Sequence, residues 1–232
     1  MLYVSQLIIE VTRRCNMACG HCLRGDAQNL DISFDTIERI VDCIEHVSSV
    51  TFTGGEPTLN LDAIEHYFEY AQSKDKLPSS FYCVTNGTGD QLRLATILLK
   101  YYPYMDEQDI CGVALSVDEF HETPDNPEVN TIRGLSFYDT TKETKYPGKR
   151  IIAEGRGAKF TDAVPLEPYD DFSIETYANN DIAVEELYVA ANGNLYPDCD
   201  ASYERVDKES KYNIHDIDTF MQHIMGNTEE KS

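Results

Sequence analysis

The chain has 232 residues, 41 of them acidic and 19 basic, for a formal net charge of −22, a surface that repels phosphate backbones and argues against general nucleic-acid binding. No apolar stretch approaches the roughly 20 residues needed to cross a bilayer, and the start Met1-Leu2-Tyr3-Val4-Ser5 lacks a basic segment followed by an apolar core, so neither a membrane span nor a secretion signal is expected. The length suits one α/β domain with a large core, and seven scattered cysteines suit reduced thiols and a metal site in the cytoplasm better than a disulfide framework.

The first predicted element is a strand over Ser5–Thr12, with Leu7, Ile9 and Val11 on one face and Gln6, Ile8, Glu10 and Thr12 on the other. It delivers the run Arg14-Cys15-Asn16-Met17-Ala18-Cys19-Gly20-His21-Cys22. Thiolates spaced by three and then two residues on one loop can bind three irons of a four-iron cluster, leaving the fourth iron without a protein ligand. Zinc is the plainer alternative, but it needs a fourth tetrahedral ligand, and His21 is poorly placed beside Cys22 to share its metal. A buried structural trio of cysteines is a further alternative. Phe34, Ile37, Ile40, Val41, Ile44 and Val47 then recur at helical spacing behind Ser33 as N-cap.

The apolar run Val50-Thr51-Phe52-Thr53 predicts a strand whose C-terminal end carries Gly54-Gly55-Glu56-Pro57. Two glycines there let the backbone approach a ligand closely, and the Glu56 carboxylate can accept a hydrogen bond from an ammonium group; the plain reading of a Gly-Gly pair is a turn. A helix from about Asp62 to Ser73 leads to a strand over Phe81–Val84, which ends in the turn-forming Thr85-Asn86-Gly87. After a helix from about Asp90 to Tyr102, the segment Cys111–Asp118 reads as a strand with Gly112, Ala114, Ser116 and Asp118 on one face. Small residues on that face leave room for a flat ligand, and Ser116 and Asp118 at its end are placed to bond a ribose or, more simply, to cap the strand. A later strand over Arg150–Gly157 places Glu154 and Arg156 beside Ile152, and the planar fork of Arg156 suits a carboxylate. Alternating strands and helices imply a parallel sheet with right-handed crossovers. All the suspect residues then fall at C-terminal strand ends, where barrel enzymes place their sites.

The cysteine spacing, with His21 at a position usually aromatic, resembles the signature of the radical S-adenosylmethionine (radical SAM) enzymes. Gly54-Gly55-Glu56-Pro57 resembles the family's motif for the amino group of S-adenosylmethionine, Ser116 and Asp118 its ribose motif, and Arg156 an element that holds the cofactor's carboxylate. Thr85-Asn86-Gly87 is similar to a recurrent element, with Asn86 a contact to the cofactor or a turn residue. The resemblance covers about Met1 to Lys159. It implies a partial (β/α)6 TIM-like barrel with a short C-terminal extension, divided into a core over residues 1–160 and a unit over 161–232 that completes the barrel and adds a hairpin and helix. The implied cofactors are one 4Fe-4S cluster and S-adenosylmethionine, which is cleaved to a 5′-deoxyadenosyl radical.

Residues 162–181 are polar and rich in proline and tyrosine, after which Glu185–Tyr196 reads as a hairpin turning at Asn192-Gly193. The hairpin and the following Pro197-Asp198-Cys199-Asp200 resemble the start of the SPASM and Twitch extensions of peptide-modifying members. Cys199 is the only cysteine in the C-terminal third, too few for an auxiliary cluster, so a single cluster and a trimmed extension are expected. Cys43, Cys83 and Cys111 fall within a helix and strands and are expected to pack in the core. His121, just past the ribose motif, is a candidate for proton transfer or substrate contact, or else a plain loop histidine.

The resulting expectation is a radical SAM enzyme that removes a hydrogen atom from a peptide or protein substrate, with flavodoxin or ferredoxin as electron donor. No leader-binding domain precedes the first strand, so leader recognition would fall to a partner or to the acidic surface. An activase for a glycyl-radical enzyme, a deazapurine-forming enzyme, and a non-catalytic cluster carrier are the alternatives. Intact Glu56, Ser116, Asp118 and Arg156 speak against the carrier.

Overall fold

The computed structural model describes residues 1–117, 121, 126–143, 151–166, 171–177 and 181–229. Strand β1 (Leu2–Thr12) leads through the cysteine loop to helix α1 (Phe34–Cys43), then β2 (His46–Gly54), α2 (Leu61–Ser73), β3 (Ser80–Thr85), α3 (Gln91–Tyr101), β4 (Gly112–Leu115), α4 (Val129–Arg133) and β5 (Tyr138–Asp139). The C-terminal part supplies β6 (Ile174–Thr176), β7 (Ile182–Val189), β8 (Asn194–Tyr196), α5 (Tyr203–Glu209), β9 (Tyr212–Asn213) and α6 (Ile217–Glu229).

The strands form one sheet in the order β5-β4-β3-β2-β1-β7-β8-β9, with β6 also paired to β7. From β5 to β7 all neighbours run parallel, and β7 lies against the free side of β1 in register from Leu2↔Ile182 to Ile9↔Val189. The sheet is open rather than closed into a ring, as a partial barrel requires. Because β1 to β5 are laid down in sequence order, right-handed crossovers put their helices on one face. α1 packs beside α2, α2 beside α3 and α3 beside α4.

The alternation of β1 is realised on both sides. Leu7, Ile9 and Val11 enter the main core with Ile37, Ile40 and Phe68, while Ile8 joins Tyr188, Ala190, Tyr196 and Val206 in a smaller cluster on the opposite face. Phe68 stacks on Tyr101 at 4.5 Å and meets Phe52 and Phe81 edge-on, so the helix layer is locked to β2 and β3 by rings. Cys83 and Cys111 are buried in this core and Cys43 packs against it, as expected.

Three sequence expectations are corrected. α1 ends at Cys43 because Ile44 turns extended (φ −100, ψ 129), and Val47 belongs to β2, paired with Val4. β4 ends at Leu115, and the space beside Gly112 is taken by the Tyr82 ring, 2.5 Å from where a Cβ would stand, so it is not room for a ligand. No strand forms over the described part of Arg150–Gly157: Ile152 makes one isolated bridge to Val164, and the chain then turns through Gly155 (φ +51) into a 3-10 turn at Gly157–Lys159. Its apolar and small residues are read out by a loop contact, because the Arg156 N–H bonds the Cys22 carbonyl (2.9 Å) and Gly155 lies where any Cβ would meet Leu23 O and Gly25 N at 2.4 Å.

The Asn192-Gly193 hairpin forms as read, with Tyr188↔Tyr196 and Val189↔Leu195 antiparallel and Gly193 at φ +83. No helix among the described residues is long and apolar enough to cross a membrane.

Candidate active site

The cysteine loop leaves β1 under a set of buried charges. Arg13, 1% exposed, donates from Nε to Glu10 Oε1 (2.6 Å) and through Nη1 and Nη2 to Asp207 on α5 (2.7 and 2.8 Å), with its guanidinium 4.7 Å over Tyr203. Glu10, fully buried, also accepts from the Tyr188 hydroxyl and from Ala191 N (3.0 Å). A buried charge is tolerated only when paired and hydrogen-bonded, and here the pairing fixes the chain two residues before Cys15. Beyond it the loop folds on itself through Cys22 N to Cys19 O (3.2 Å) and Gly25 N to Cys22 O (3.3 Å). Cys15, Cys19 and Cys22 are half-buried. Burial raises the Cys15 thiol, so a metal bound there would displace a proton.

The two-glycine turn is stitched to this loop. Gly55 N donates to Thr12 O and Glu56 N to Arg14 O, both at 2.8 Å. A Cβ on Gly54, which sits at φ +148, would stand 2.1 Å from Thr12 O. One on Gly55 would stand 2.2 Å from Arg14 O and 3.0 Å from the Cys15 side chain. Glycine is therefore required at both positions for the C-terminal end of β2 to meet the cysteine loop.

Glu56, 1% exposed, is a hub. Its Oε1 accepts from Thr58 N (3.1 Å), Thr58 Oγ1 (2.6 Å) and Thr85 Oγ1 (2.6 Å), and Oε2 accepts from Asn86 N (2.8 Å). Burial pushes the carboxyl up, and these four donors oppose the rise. Oε2 carries one of these donors against three on Oε1 and so keeps acceptor capacity, and Glu56 lines the cavity described below.

Asn86 is both a turn residue and a tether. Its Oδ1 accepts from Thr88 N (2.9 Å) and its Nδ2 donates to Asn16 Oδ1 (3.0 Å), tying the end of β3 to the cysteine loop. Ser116, just past β4, continues the ladder through its N–H to Thr85 O (2.8 Å). Asp118, its expected partner at a ribose, lies outside the described residues. His121 meets His21 edge-on, ring centres 5.3 Å apart. Among the described residues the Arg156 side chain makes one long contact, to the exposed Asp26 (3.4 Å), and its Nε is buried without a hydrogen-bond partner.

These residues converge on one cavity of ≈ 480 Å³ at the C-terminal rim of the parallel strands. Its walls include Cys15, Cys19, His21, Cys22, Gly54, Gly55, Glu56, Pro57, Asn86, Ser116, His121 and Arg156. Every described residue singled out from the sequence for this site therefore faces the same space. The donor set fits a four-iron cluster and S-adenosylmethionine: three thiols on one loop, a glycine cradle that any side chain would fill, an acceptor on Glu56 and an Arg156 N–H unmatched among the described residues.

Sequence reasoning missed Arg24 and Tyr203 in the cavity wall, and the threonines that hold Glu56. Arg24 donates to Ala201 O (2.9 Å) and lies 4.8 Å over the Tyr188 ring. Its place two residues after Cys22 was the available signal. Cys199 also reaches the wall; burial pushes its thiol up to about 12, so it is protonated at neutral pH.

The family model described as the Radical SAM superfamily matches residues 9–144. The uncharacterized protein MJ0907 of Methanocaldococcus jannaschii is 36% identical over 70 residues, which is 29% of this chain and 24% of that protein. The solved structure of native anSMEcpe with bound AdoMet and Cp18Cys peptide is 24% identical over 51% of this chain and 33% of its own, with a TM-score of 0.35. The structure of histidine-tagged anSMEcpe with bound AdoMet matches more fully, over 92% of this chain and 78% of its own, at 18% identity and a TM-score of 0.50. The chain thus spans about a quarter of the M. jannaschii protein and a third of the first of these structures.

Proposed function

This chain belongs to the radical SAM superfamily, whose cofactors are a 4Fe-4S cluster and S-adenosylmethionine, and from that premise we propose that it is an enzyme removing a hydrogen atom from a peptide or protein substrate. The observation that carries the reading is the convergence of the cysteine loop, the Gly54-Gly55-Glu56 turn, Asn86, Ser116 and Arg156 on one cavity. In it Cys15, Cys19 and Cys22 would hold the cluster, with His21 beside them in the cavity wall. The backbone of Gly54-Gly55-Glu56-Pro57 and the spare lone pair of Glu56 receive the amino group of S-adenosylmethionine, and Arg156 receives its carboxylate. Ser116, together with Asp118, takes the ribose. The chemistry these cofactors supply when bound is one-electron cleavage of S-adenosylmethionine to a 5′-deoxyadenosyl radical. The protein's own part is to orient that radical and exclude water. The electron comes from a small carrier such as flavodoxin or ferredoxin.

The peptide assignment rests on the β7–β8 hairpin, which resembles the extension of peptide-modifying members, and on the openness of the sheet beside the cavity. His121, next to His21 on the cavity wall, is the proposed proton-transfer residue; unchanged substrate turnover in His121→Ala would remove it from that role. The reading is tested by giving the reconstituted, reduced protein and S-adenosylmethionine either a pool of random dodecapeptides or a pool of nucleosides and small acids. Release of 5′-deoxyadenosine is expected to rise with the peptides. A rise with the small molecules alone would overturn the peptide assignment.

A further inference from the structure

Two hydrogen bonds separate Glu56 from a fully buried amide, that of Gln91 at the start of α3. Gln91 Nε2 donates to Thr85 Oγ1 (3.1 Å) and, at 3.4 Å, to Gly89 O. A carbonyl oxygen can only accept, so the amide nitrogen and not its oxygen faces these two atoms. The amide oxygen, Oε1, is buried without a hydrogen-bond partner among the described residues. An amide oxygen left so is destabilising, and its retention calls for a reason other than stability.

The neighbours of Gln91 do not need it to stay satisfied. Thr85 Oγ1 also accepts from Gly87 N (3.1 Å), and Gly89 O also accepts from Asn126 Nδ2 (3.4 Å). A leucine in place of Gln91 would leave neither acceptor without a donor, and it would remove the unpaired oxygen. What the amide does instead is direct a proton. A threonine hydroxyl has one hydrogen and two acceptor positions. On Thr85 both positions are taken, by Gly87 N and Gln91 Nε2, so the hydrogen can go only to Glu56 Oε1, 2.6 Å away. A hydroxyl locked as a donor matches a carboxylate and cannot receive a proton from a carboxyl group. It also anchors Glu56 by Oε1 and leaves Oε2 with capacity for a ligand. Gly89, the second acceptor of the amide, is packed against the other hydroxyl on Oε1: a Cβ there would stand 1.9 Å from Thr58 Oγ1.

We propose that Gln91 is a positioning residue for the amino group of S-adenosylmethionine, holding the Thr85 proton on Glu56 so that this carboxylate is presented as an acceptor; the assignment rests on the reading of Glu56 given above. Gln91 itself touches no cofactor and acts through Thr85.

The test measures binding rather than turnover. Reconstituted, unreduced holoprotein is dialysed to equilibrium against radiolabelled S-adenosylmethionine and, separately, against radiolabelled 5′-methylthioadenosine, which keeps the nucleoside but has neither the amino group nor the carboxylate. Gln91→Leu is expected to bind S-adenosylmethionine about tenfold more weakly and 5′-methylthioadenosine as the wild type does. Its iron content should be unchanged and its thermal midpoint no lower than that of the wild type. In a Thr85→Val background, which lacks the hydroxyl, adding Gln91→Leu should cause no further loss of S-adenosylmethionine binding. Equal S-adenosylmethionine binding by Gln91→Leu and the wild type, a loss shared by both ligands or accompanied by a lowered midpoint, or an additive loss in the double variant would each overturn the proposal. A wild-type protein that carries its cluster and binds no S-adenosylmethionine would overturn the reading of Glu56 and this proposal with it. Wild-type binding that Gln91→Leu leaves intact refutes the role of Gln91 alone.

Discussion

Replacing Glu56 by Gln tests whether this carboxylate is the pin that joins the turn after β2 to the end of β3. The side chain keeps its shape, but an amide has one oxygen where the carboxylate has two. Placed at the Oε1 position, that oxygen keeps Thr58 N, Thr58 Oγ1 and Thr85 Oγ1, and the amide NH2 then faces the Asn86 N–H, donor against donor. Leaving one buried N–H unsatisfied costs about 1–3 kcal/mol. Turning three charge-assisted bonds into neutral ones costs roughly another 1 kcal/mol each, and release of the charge from a buried site returns part of that sum. The expected net loss is about 2–4 kcal/mol, a large share of a stability of roughly 5–15 kcal/mol. Urea unfolding of the anaerobic protein should show a lower midpoint with an unchanged m-value. A Glu56→Gln midpoint equal to that of the wild type would refute the claim that the carboxylate carries this junction.

Three further outcomes follow from the same geometry. Gly55→Ala should hold markedly less iron after reconstitution, since its methyl would stand 2.2 Å from Arg14 O and must push the cysteine loop aside at a cost on the order of 1–3 kcal/mol; iron and sulfide analysis reads it. Arg13→Met strands Glu10 in the core and frees Asp207, and should destabilise by about 3–5 kcal/mol, read by thermal unfolding. Acid should loosen α5. Hydrogen bonds from Arg13 hold Asp207 below its ordinary 3.8, and for Glu154 the upward push of burial is overcome by the hydrogen bonds from Arg205 and Ser202 together, which leave it below its ordinary 4.5. Lowered carboxyl values contribute stability that is complete above the ordinary values and is lost as pH falls through the folded ones, so the loss should be confined to pH below about 5. A protein whose thermal midpoint falls instead between pH 8 and 6 would contradict that assignment.

Much of the site was legible because it is written in local sequence: the thiol spacing, the glycines at the end of β2 and the turn at Asn86 each need no distant partner to be recognised. The alternation of β1 was equally plain, and Leu7, Ile9 and Val11 do face the helices. What that alternation hid is that β7 and α5 cover the other face, so Glu10, which reads as a solvent residue on a half-exposed strand, is a buried anion held by Arg13 and Tyr188. The over-long α1 arose because Val47 stands at helical spacing by coincidence, while its place is set by pairing with β1. Residues 150–157 carry a β-like apolar pattern, yet their conformation is decided by contact with Cys22–Gly25, more than a hundred residues away in the chain. Arg24 and Tyr203 escaped notice for the same reason: only the return of α5 onto the cysteine loop brings them to the cavity.

The central claim is that Cys15, Cys19 and Cys22 hold a cluster whose fourth iron is open to S-adenosylmethionine. The most direct measurement is 5′-deoxyadenosine formed by the anaerobically reconstituted, reduced protein, beside single Cys15→Ala, Cys19→Ala and Cys22→Ala variants, with the electron spin resonance of the reduced cluster recorded before and after addition of S-adenosylmethionine. The account predicts 5′-deoxyadenosine from the wild type, none from any of the three variants, and a cluster signal that changes when S-adenosylmethionine binds. A fully loaded wild-type cluster whose signal is indifferent to S-adenosylmethionine and which forms no 5′-deoxyadenosine would contradict it.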